Sequence, residues 1–517
     1  MAVRAGRGFT RRRGSKLAII FISLVVGALT AQAVAQQASD TTDTKGKKAS
    51  SQAGNAQQKK SPPGKAQAGE KKSQPESGDQ SQEGKPLPQI SPEARYDYQG
   101  EATFILQHLF AFRSPYEGAN SLRSRNETEL SDTYTLYLGA RLARNLEVYI
   151  DPEIAWGNGL SGGIGLAGYT NGDIIGQPVL RPYPYLARYF VRWRVPMPHL
   201  FKHAGGEESE SEQTGRAPNI IAGRVRAHRL VLQFGKMAVT DVFDTNSYAN
   251  NPRTQFMNNA FGNNLAYDYA EETRGYDLGF SAAWVNPDFV VRLGTFAMPT
   301  TAGGPNLAYN FDHDHSEQVE VELHPALVPR KLPAVFRLLA FRNAGNMGSY
   351  RAALAAAPGM PPSTVAVEHP GAVKYGFGLN FEQALADGGA TGIFGRLGWN
   401  NGATESYGFT DCDRFLSLGA QVAGTLWRRK DDRVGVAVAQ SDISAAHRDY
   451  LAAGGLGLDV GDGKLNYSSE RILETYYSYQ LTKPLALTLD YQYISHPGYN
   501  RDRGPVSVVS ARVHVSF

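Results

Sequence analysis

The sequence predicts an all-β fold, a transmembrane antiparallel β-barrel of about 16 strands with a disordered N-terminal periplasmic segment ahead of it. Three features of the 517-residue chain lead to this prediction. The chain begins with the pattern of an export signal, and after residue 95 no apolar run approaches the roughly 18 residues that a membrane helix requires. Instead, segments of about ten residues alternate apolar with polar side chains, which is the period of a strand with two different faces.

Residues 1–35 are predicted to be a signal peptide. Six basic residues precede an apolar run over 17–29, and alanines follow at positions 31, 33 and 35. As a helix the 13-residue run spans about 20 Å, short of the hydrocarbon layer of about 30 Å, so a cleaved signal fits better than an uncleaved anchor. Cleavage is expected after Ala33 or Ala35, and either way the chain leaves the cytoplasm.

Residues 36–95 are predicted to form a disordered linker rich in Lys, Gln, Ser, Gly and Pro. They contain no aromatic residue, and no branched aliphatic residue before Leu87. Such a composition cannot bury enough apolar surface to offset the entropy lost on ordering. The nine lysines between Lys45 and Lys85 leave two interpretations open: a plain spacer, or a cationic tether to an anionic polymer such as the cell wall.

The charge divides unevenly along the chain. The first 90 residues hold 15 basic against 6 acidic groups, whereas the remainder holds 38 against 43, a net charge of −5. A negative folded part makes nucleic acid an unsuitable partner. Cys412 is the only cysteine, so an intramolecular disulfide is excluded.

Residues 96–517 are predicted to form a single outer-membrane β-barrel domain. Sixteen alternating segments occur, at about 101–113, 130–143, 145–156, 185–195, 227–237, 274–286, 288–299, 315–324, 333–345, 373–383, 389–400, 413–427, 432–441, 470–480, 484–496 and 504–517. An even number of strands suits a closed antiparallel barrel, and about sixteen strands enclose a water-filled lumen. A lumen indicates transport before it indicates catalysis.

Connections alternate between short and long. With a periplasmic amino terminus, every short turn lies on the periplasmic side and the long loops lie outside, as in outer-membrane barrels. The exception is 196–226, a long periplasmic connection that contains the acidic stretch 207–212.

Alternation also assigns the two faces of each strand. The last strand is predicted to turn Val509, Ala511, Val513, Val515 and Phe517 to lipid and Ser510, Arg512, His514 and Ser516 to the lumen. The fourth is predicted to turn Tyr185, Ala187, Tyr189, Val191 and Trp193 to lipid and Arg188, Arg192 and Arg194 inward. The same parity places Arg141, Arg292, Arg396, Glu474 and Asp490 inside.

The inward arginines allow two interpretations. A guanidinium is a planar, permanently charged fork of donors, which suits the paired hydroxyls of a sugar. The same groups could instead form structural ion pairs with wall carboxylates in any porin. The predicted pore-lining or sugar-contacting residues are Arg188, Arg192, Arg292, Arg396, Asp490 and Arg512.

The connection 238–273 mixes amides with aromatic residues, the composition expected where hydroxyls are hydrogen-bonded and a sugar ring stacks on a flat face. We expect it to fold inward and narrow the pore; the alternative is an external cap over the rim. Its predicted constriction residues are Asp241, Asp244, Asn246 and Arg253.

Enzyme motifs in the sequence lack the context that their chemistry requires. Gly159, Ser161 and Gly163 match a nucleophile elbow, but they lie in a glycine-rich loop and not in a strand–turn–helix unit. The run Asp312–His315 offers neighbouring residues that point in opposite directions on an extended chain, so a hydrated loop fits better than a metal site. No enzyme activity, cofactor or metal is therefore predicted.

Several extended phrases resemble the carbohydrate-selective outer-membrane porins of the OprB type. They include LAGYTNGD at 166–173, PYLARYFVRW at 184–193, FGKMAVTDVFDTNSYANNPRTQFMN at 234–258, KYGFGLNFEQ at 374–383, GRLGWNNGATESYGFT at 395–410, HRDYLAAGGLGL at 447–458 and YNRDRGPVSV at 499–508. The resemblance implies a sixteen-stranded barrel in the outer membrane of a Gram-negative-type bacterium. It also implies passive uptake of mono- or disaccharides past charged side chains at a constriction shaped by inward loops.

Two alternatives remain open at this point. One is a porin for other small solutes, such as organic acids, and the other is an envelope-tethering protein anchored by its barrel. The sequence is compatible with a monomer or a trimer, and besides sugars the expected partners are outer-membrane lipid and, through the linker, the cell wall.

Overall fold

The computed structural model describes residues 94–174, 183–198, 211–325 and 332–517. The predicted signal peptide 1–35, nearly all of the linker 36–95 and most of the acidic stretch 207–212 lie outside the described residues.

The described ranges contain eighteen strands and three short α-helices. The strands are β1 (Tyr96–Leu109), β2 (Glu127–Ala143), β3 (Leu146–Gly157), β4 (Tyr185–Pro196), β5 (Ser211–Thr214), β6 (Gly223–Arg226), β7 (Arg229–Met237), β8 (Asp277–Asn286), β9 (Phe289–Ala297), β10 (His315–Leu323), β11 (Ala334–Gly348), β12 (Glu368–Ala386), β13 (Thr391–Asn400), β14 (Arg414–Gly424), β15 (Arg429–Asp442), β16 (Glu470–Thr482), β17 (Leu485–Ser495) and β18 (Val506–Ser516). The helices are α1 (Asn259–Gly262), α2 (Tyr350–Ala356) and α3 (Ala445–Ala452). Within the described ranges, no helix has both the length and the apolar character needed to cross a membrane.

Sixteen of these strands close into one antiparallel barrel, and β5 and β6 form a separate two-stranded hairpin. Closure is made by β1 and β18, with Glu101 opposite Ser516 and Leu109 opposite Val508. A closed barrel leaves no row of unpaired backbone groups, which lipid could not satisfy. The predicted fold class and strand number are confirmed.

The alternation of faces in β18 follows the prediction. Val509 and Val513 are 39% and 37% exposed on the outer surface, whereas Arg512 between them is 1% exposed inside. Tyr189 and Trp193 of β4 also lie outside, at 43% and 51% exposure.

At the start of β4 the predicted faces are wrong. The pairing with β3 shifts register between Asp151 and Pro152, which is a β-bulge. The bulge turns Leu186 to the outside, where it is 50% exposed, and buries Ala187 completely. Tyr185, predicted to meet lipid, instead donates from its hydroxyl to the inward-facing Glu153. One extra residue in a strand reverses which side chains on one side of the insertion face lipid and which face the lumen. The alternation of the sequence alone does not reveal where the extra residue is inserted.

The connection between β7 and β8, residues 238–276, lies inside the barrel; we call it the inner segment. Its apolar side chains are fully buried against aromatic residues of the inner wall. The Phe256 ring lies 5.5 Å from the Phe394 ring and 4.9 Å from the Tyr476 ring, and Phe243 lies 6.4 Å from Phe296. The water-filled lumen expected from strand number is therefore packed with protein over part of its cross-section.

Candidate functional site

Arg396 of β13 bonds the inner segment to the barrel wall. Its Nη1 donates to the Phe261 carbonyl at 2.6 Å and its Nη2 to the Ala249 carbonyl at 2.8 Å. Its Nε lies 3.1 Å from a carboxylate oxygen of Asp244. Asn380 of β12 donates to the same carboxylate at 2.7 Å, so one aspartate joins two wall strands to the segment.

Strands β16 and β18 hold the next part of the segment. The Glu474 carboxylate accepts from the Met257 and Asn258 amides at 2.5 and 3.0 Å. Arg512 donates from Nη1 to the carbonyls of Pro252 and Gln255 at 2.6 and 2.8 Å. Strands β12 and β13 lie three to six strands from β16 and β18 around the barrel, so these contacts attach the segment along an arc of the inner wall.

A cavity of about 670 Å³ remains between the inner segment and the wall formed by β1 to β4. Its ionisable and aromatic lining comprises Glu101, Glu153, Asp173, Asp241, Glu271 and Glu272, the bases Arg188, Arg253 and Arg274, and the phenols Tyr137, Tyr183, Tyr185, Tyr269 and Tyr276. Hydroxyls, guanidinium groups and aromatic faces therefore surround one space.

Arg253, near the middle of the inner segment, is surrounded by carboxylates. Its Nη1 lies 2.6 Å from Glu101, its Nη2 lies 3.0 Å from Glu153, and its Nε lies 2.6 Å from Asp173. Nη1 also donates to the Thr135 hydroxyl at 2.8 Å. Charge-assisted bonds to carboxylates of β1, of β3 and of the loop after β3, together with the bond to the Thr135 hydroxyl of β2, fix the segment against this wall.

Tyrosines extend this cluster over the cavity surface. The hydroxyls of Tyr185 and Tyr276 donate to the same oxygen of Glu153, at 2.5 and 2.8 Å. The Arg274 guanidinium lies 3.9 Å from the centre of the Tyr185 ring, close enough for a cation–π contact. Each ring is thus fixed at its polar end, and Arg274 covers one face of the Tyr185 ring.

Arg188 and Asp241 form a bidentate pair at the cavity wall. Nε and Nη2 of Arg188 donate to the two carboxylate oxygens of Asp241 at 2.6 and 2.8 Å. Arg188 also lies 4.9 Å from the centre of the Tyr276 ring. The Asp241 side chain is 39% exposed, so this pair presents charge to the open space.

Two buried polar atoms of the lining have no hydrogen-bond partner among the described residues. They are Nη1 of Arg274, a donor, and Oδ1 of Asn250, an acceptor. Burying such atoms unpaired costs free energy, so each needs a partner, which a water molecule or the hydroxyl of a solute can supply.

Glu271 supplies a different kind of acidic group. Its pKa is raised well above the usual range, first because the carboxyl is buried and then because Glu272, Asp268 and Asp277 lie near it. The shift favours the protonated, neutral form of the carboxyl, which can donate a hydrogen bond to a solute.

The predicted site residues occupy three kinds of position. Arg188, Asp241 and Arg253 line the cavity. Arg396, Arg512, Asp244 and Asn246 bond the inner segment to the wall. The remaining three do not border the cavity. Arg292 pairs with Glu320 and Glu322 of β10, Asp490 accepts from Gln492, and Arg192 donates to Gln233 and to the Asn219 carbonyl.

The sequence-based selection missed Glu101, Glu153, Asp173, Arg274 and Tyr276. Parity along the first and third strands marks Glu101 and Glu153 as inward-facing, so a signal for these two existed. Asp173 lies in a loop, where no periodicity indicates direction. Arg274 and Tyr276 fall in the predicted segment 274–286, but the strand begins only at Asp277, so alternation does not describe their direction.

A model of the family described as carbohydrate-selective porin, OprB family, matches residues 120–517. No curated protein matches the chain. The high-pH structure of OprB from Pseudomonas putida is similar in fold, with a TM-score of 0.60 at 16% identity over 82% of this chain and 94% of that one. The low-pH structure of the same protein has a TM-score of 0.43 at 14% identity, covering 82% and 93% of the two chains. The outer-membrane channel DcaP of Acinetobacter baumannii has a TM-score of 0.44 at 9% identity, covering 82% and 97%.

Proposed function

This chain belongs to the carbohydrate-selective porin family, OprB, and we propose that its sugars pass through the cavity between the inner segment and the β1–β4 wall. The protein is a porin of the Gram-negative outer membrane that allows passive, carbohydrate-selective diffusion of sugars into the periplasm. The proposal concerns which residues the sugar meets on its way.

The observation that carries the proposal is the joint presence of tyrosine faces and ion-paired groups around one cavity. A sugar presents hydroxyls at its rim and C–H groups on its ring faces. Arg188, Arg253 and Arg274 can donate to the hydroxyls, while the rings of Tyr185 and Tyr276 offer apolar faces for stacking. Paired carboxylates beside the arginines accept from the same hydroxyls.

The ion pairs also explain how such a lining can select sugars without binding them tightly. The guanidinium groups of Arg188 and Arg253 already bond to carboxylates, so a hydroxyl must share these bonds and gains only a modest free energy. Weak binding at several successive places permits both entry and release. We infer that no residue of the cavity performs covalent chemistry.

The loop serine of the elbow-like motif fits this view. The Ser161 hydroxyl donates to Glu127 and accepts from the Arg123 amide, both at 2.9 Å. Ser161 is thus engaged in loop packing, and Ser161→Ala should leave solute uptake unchanged.

The test of the proposed function is a liposome-swelling series on the purified porin. Glucose and disaccharides should enter faster than amino acids and carboxylates of matched size. Equal rates for all solutes would contradict sugar selectivity, and faster entry of carboxylates would favour a porin for organic acids.

The cell-wall contact of the linker remains a prediction with a separate test. Deleting residues 37–90 should leave conductance intact. Loss of cell-wall association without any change in sugar uptake would support a tether, and unchanged association would leave the linker as a spacer.

A further inference from the structure

The turn of the β5–β6 hairpin enters the periplasmic end of the barrel. We call residues 215–222 the exit turn. The Ala217 carbonyl accepts from Gln99 at 2.7 Å, and the Asn219 amide group donates to Asp151 at 2.7 Å. Gln99 and Asp151 are inward-facing residues of β1 and β3, so the turn lies against the inner wall. Ile221, at 1% exposure, is buried there.

The exit turn lies directly below the cavity. Gln99 and Asp151 each precede a cavity-lining glutamate by two residues, Glu101 on β1 and Glu153 on β3. Both strands run away from the periplasmic end, and two residues of a strand span about 7 Å. A solute that leaves the cavity toward the periplasm therefore meets the exit turn next.

Three arginines fix the turn in this place. Arg216 donates from Nε to Asp97 at 2.7 Å, Arg192 donates to the Asn219 carbonyl at 2.7 Å, and Arg141 donates to the Ile221 carbonyl at 3.3 Å. Arg192 also lies 4.9 Å from the centre of the Tyr149 ring. Arg192 and Arg141 bond from the barrel wall to main-chain carbonyls of the turn. These bonds fix the backbone of the turn at the periplasmic end of the barrel.

Two acceptor atoms beside the turn lack a partner. Oδ1 of Asp151 and Oδ1 of Asn219 are both buried and have no hydrogen-bond donor among the described residues. The two side chains contact each other through their other polar atoms, and Nη1 of Arg188 lies 3.9 Å from Asp151. Each of these adjacent acceptors needs a donor, which a water molecule or the hydroxyl of a solute can supply, and Arg188 joins this place to the cavity above.

We propose that the exit turn forms a second, periplasmic constriction of the channel, at which Asn219 and Asp151 make a subsite for sugar hydroxyls. The proposal rests on the function given above, because it assigns the last contact of a sugar that has passed the cavity. Arg188 contacts Asp241 on its cavity side and Asp151 on its exit side. A sugar that moves from the cavity to the subsite at the exit turn therefore passes the Arg188 guanidinium.

Cysteine modification tests the position of the exit turn. Asn219→Cys places a thiol at the constriction, whereas Gln213→Cys places one on an exposed position of the same hairpin. Cys412 is 1% exposed and can stay in place, with the parent protein as a reagent control. A bulky methanethiosulfonate reagent is added from the periplasmic side of a planar bilayer, and mass spectrometry measures labelling.

Labelled Asn219→Cys channels should lose most of their current, and labelled Gln213→Cys channels should keep it. Full current in labelled Asn219→Cys channels would overturn the constriction, and so would failure of the reagent to reach that thiol from the periplasmic side.

A second variant tests the subsite. Asn219→Gly fits the left-handed backbone conformation of this position, where φ is 57°, and removes the amide. Block of the ionic current by added glucose, measured relative to the current of the same variant without sugar, should weaken. Unchanged glucose block would overturn the subsite. The parent protein separates this outcome from failure of the proposed function, because absence of glucose block in the parent would contradict sugar passage itself.

Discussion

Arg253 and Glu101 stand 152 positions apart in the chain, yet the Arg253 guanidinium donates to the Glu101 carboxylate at 2.6 Å inside the barrel. Glu101 belongs to the first strand and Arg253 to the inner segment. Their bond determines how far the segment stands from the β1–β4 wall, and hence the width of the cavity between them. Tyr137 donates to the same carboxylate oxygen at 2.6 Å, which restrains the glutamate from its other side.

Arg253→Ala should widen the passage and weaken its preference for sugars. The change leaves the carboxylates of Glu101, Glu153 and Asp173 facing one another without their cation, at a cost on the order of 3–5 kcal/mol to local stability. The segment is expected to move off this wall, so single-channel conductance rises and glucose block falls. The barrel should keep its resistance to heat in detergent, since its strand ladder is untouched.

Arg253→Lys is the matched control for this prediction. Lysine retains the charge but cannot bond in three directions through a planar fork, so an intermediate conductance is expected. Wild-type conductance and glucose block in Arg253→Ala would show that the width of the passage does not depend on this contact.

Arg396→Ala should release the inner segment from β13 while the strand pairing of the barrel stays intact. Its guanidinium, 1% exposed, bonds to the carbonyls of Phe261 and Ala249 and to Asp244. Removing it leaves the buried Asp244 carboxylate without its cation and the two carbonyls without their donor, again a cost on the order of 3–5 kcal/mol. Limited trypsin digestion with mass spectrometry should show new cleavage after Arg253 and Arg274. Cleavage no faster than in the wild type would show that the remaining anchors suffice.

Periodicity in the sequence predicts the strands and most of their faces because side-chain direction in a strand is local. The outward Val509 and the inward Arg512 follow from alternation alone. The bulge at Ala187 does not, since it is visible only in the pairing between β3 and β4. The same limit applies to the inner segment. Its composition predicts contact with hydroxyls, but the packing of Phe256 on Phe394 and Tyr476 depends on residues far apart in the chain.

Asp241→Asn should shift the channel toward anions. The negative charge of Asp241 balances the positive charge of Arg188 at the cavity surface. The substitution removes that negative charge and changes the side-chain volume little. One charge about 6 Å from a permeating ion contributes about 0.7 kcal/mol in water-like surroundings, or about threefold in the permeability ratio. Reversal potentials in a salt gradient measure this shift. Asp312→Asn, on an exposed loop outside the cavity lining, is the matched control and should shift nothing.

An equal shift in both variants would assign the effect to overall charge and not to the cavity. A missing shift in Asp241→Asn would place the permeating ions away from Arg188.

Glu271→Gln should change how the stability of the porin depends on pH. Burial and the neighbouring carboxylates raise the pKa of Glu271 well above the usual range, whereas in the unfolded chain its pKa is about 4.3. Between those two values the folded state holds a proton that the unfolded state has lost, so stability falls as pH rises, by up to about 1.4 kcal/mol per pH unit. The neutral amide of glutamine needs no such proton. The melting temperature in detergent should therefore be similar for the two proteins near pH 4 and higher for Glu271→Gln at pH 8. A constant difference across this range would mean that Glu271 carries its charge in the folded barrel.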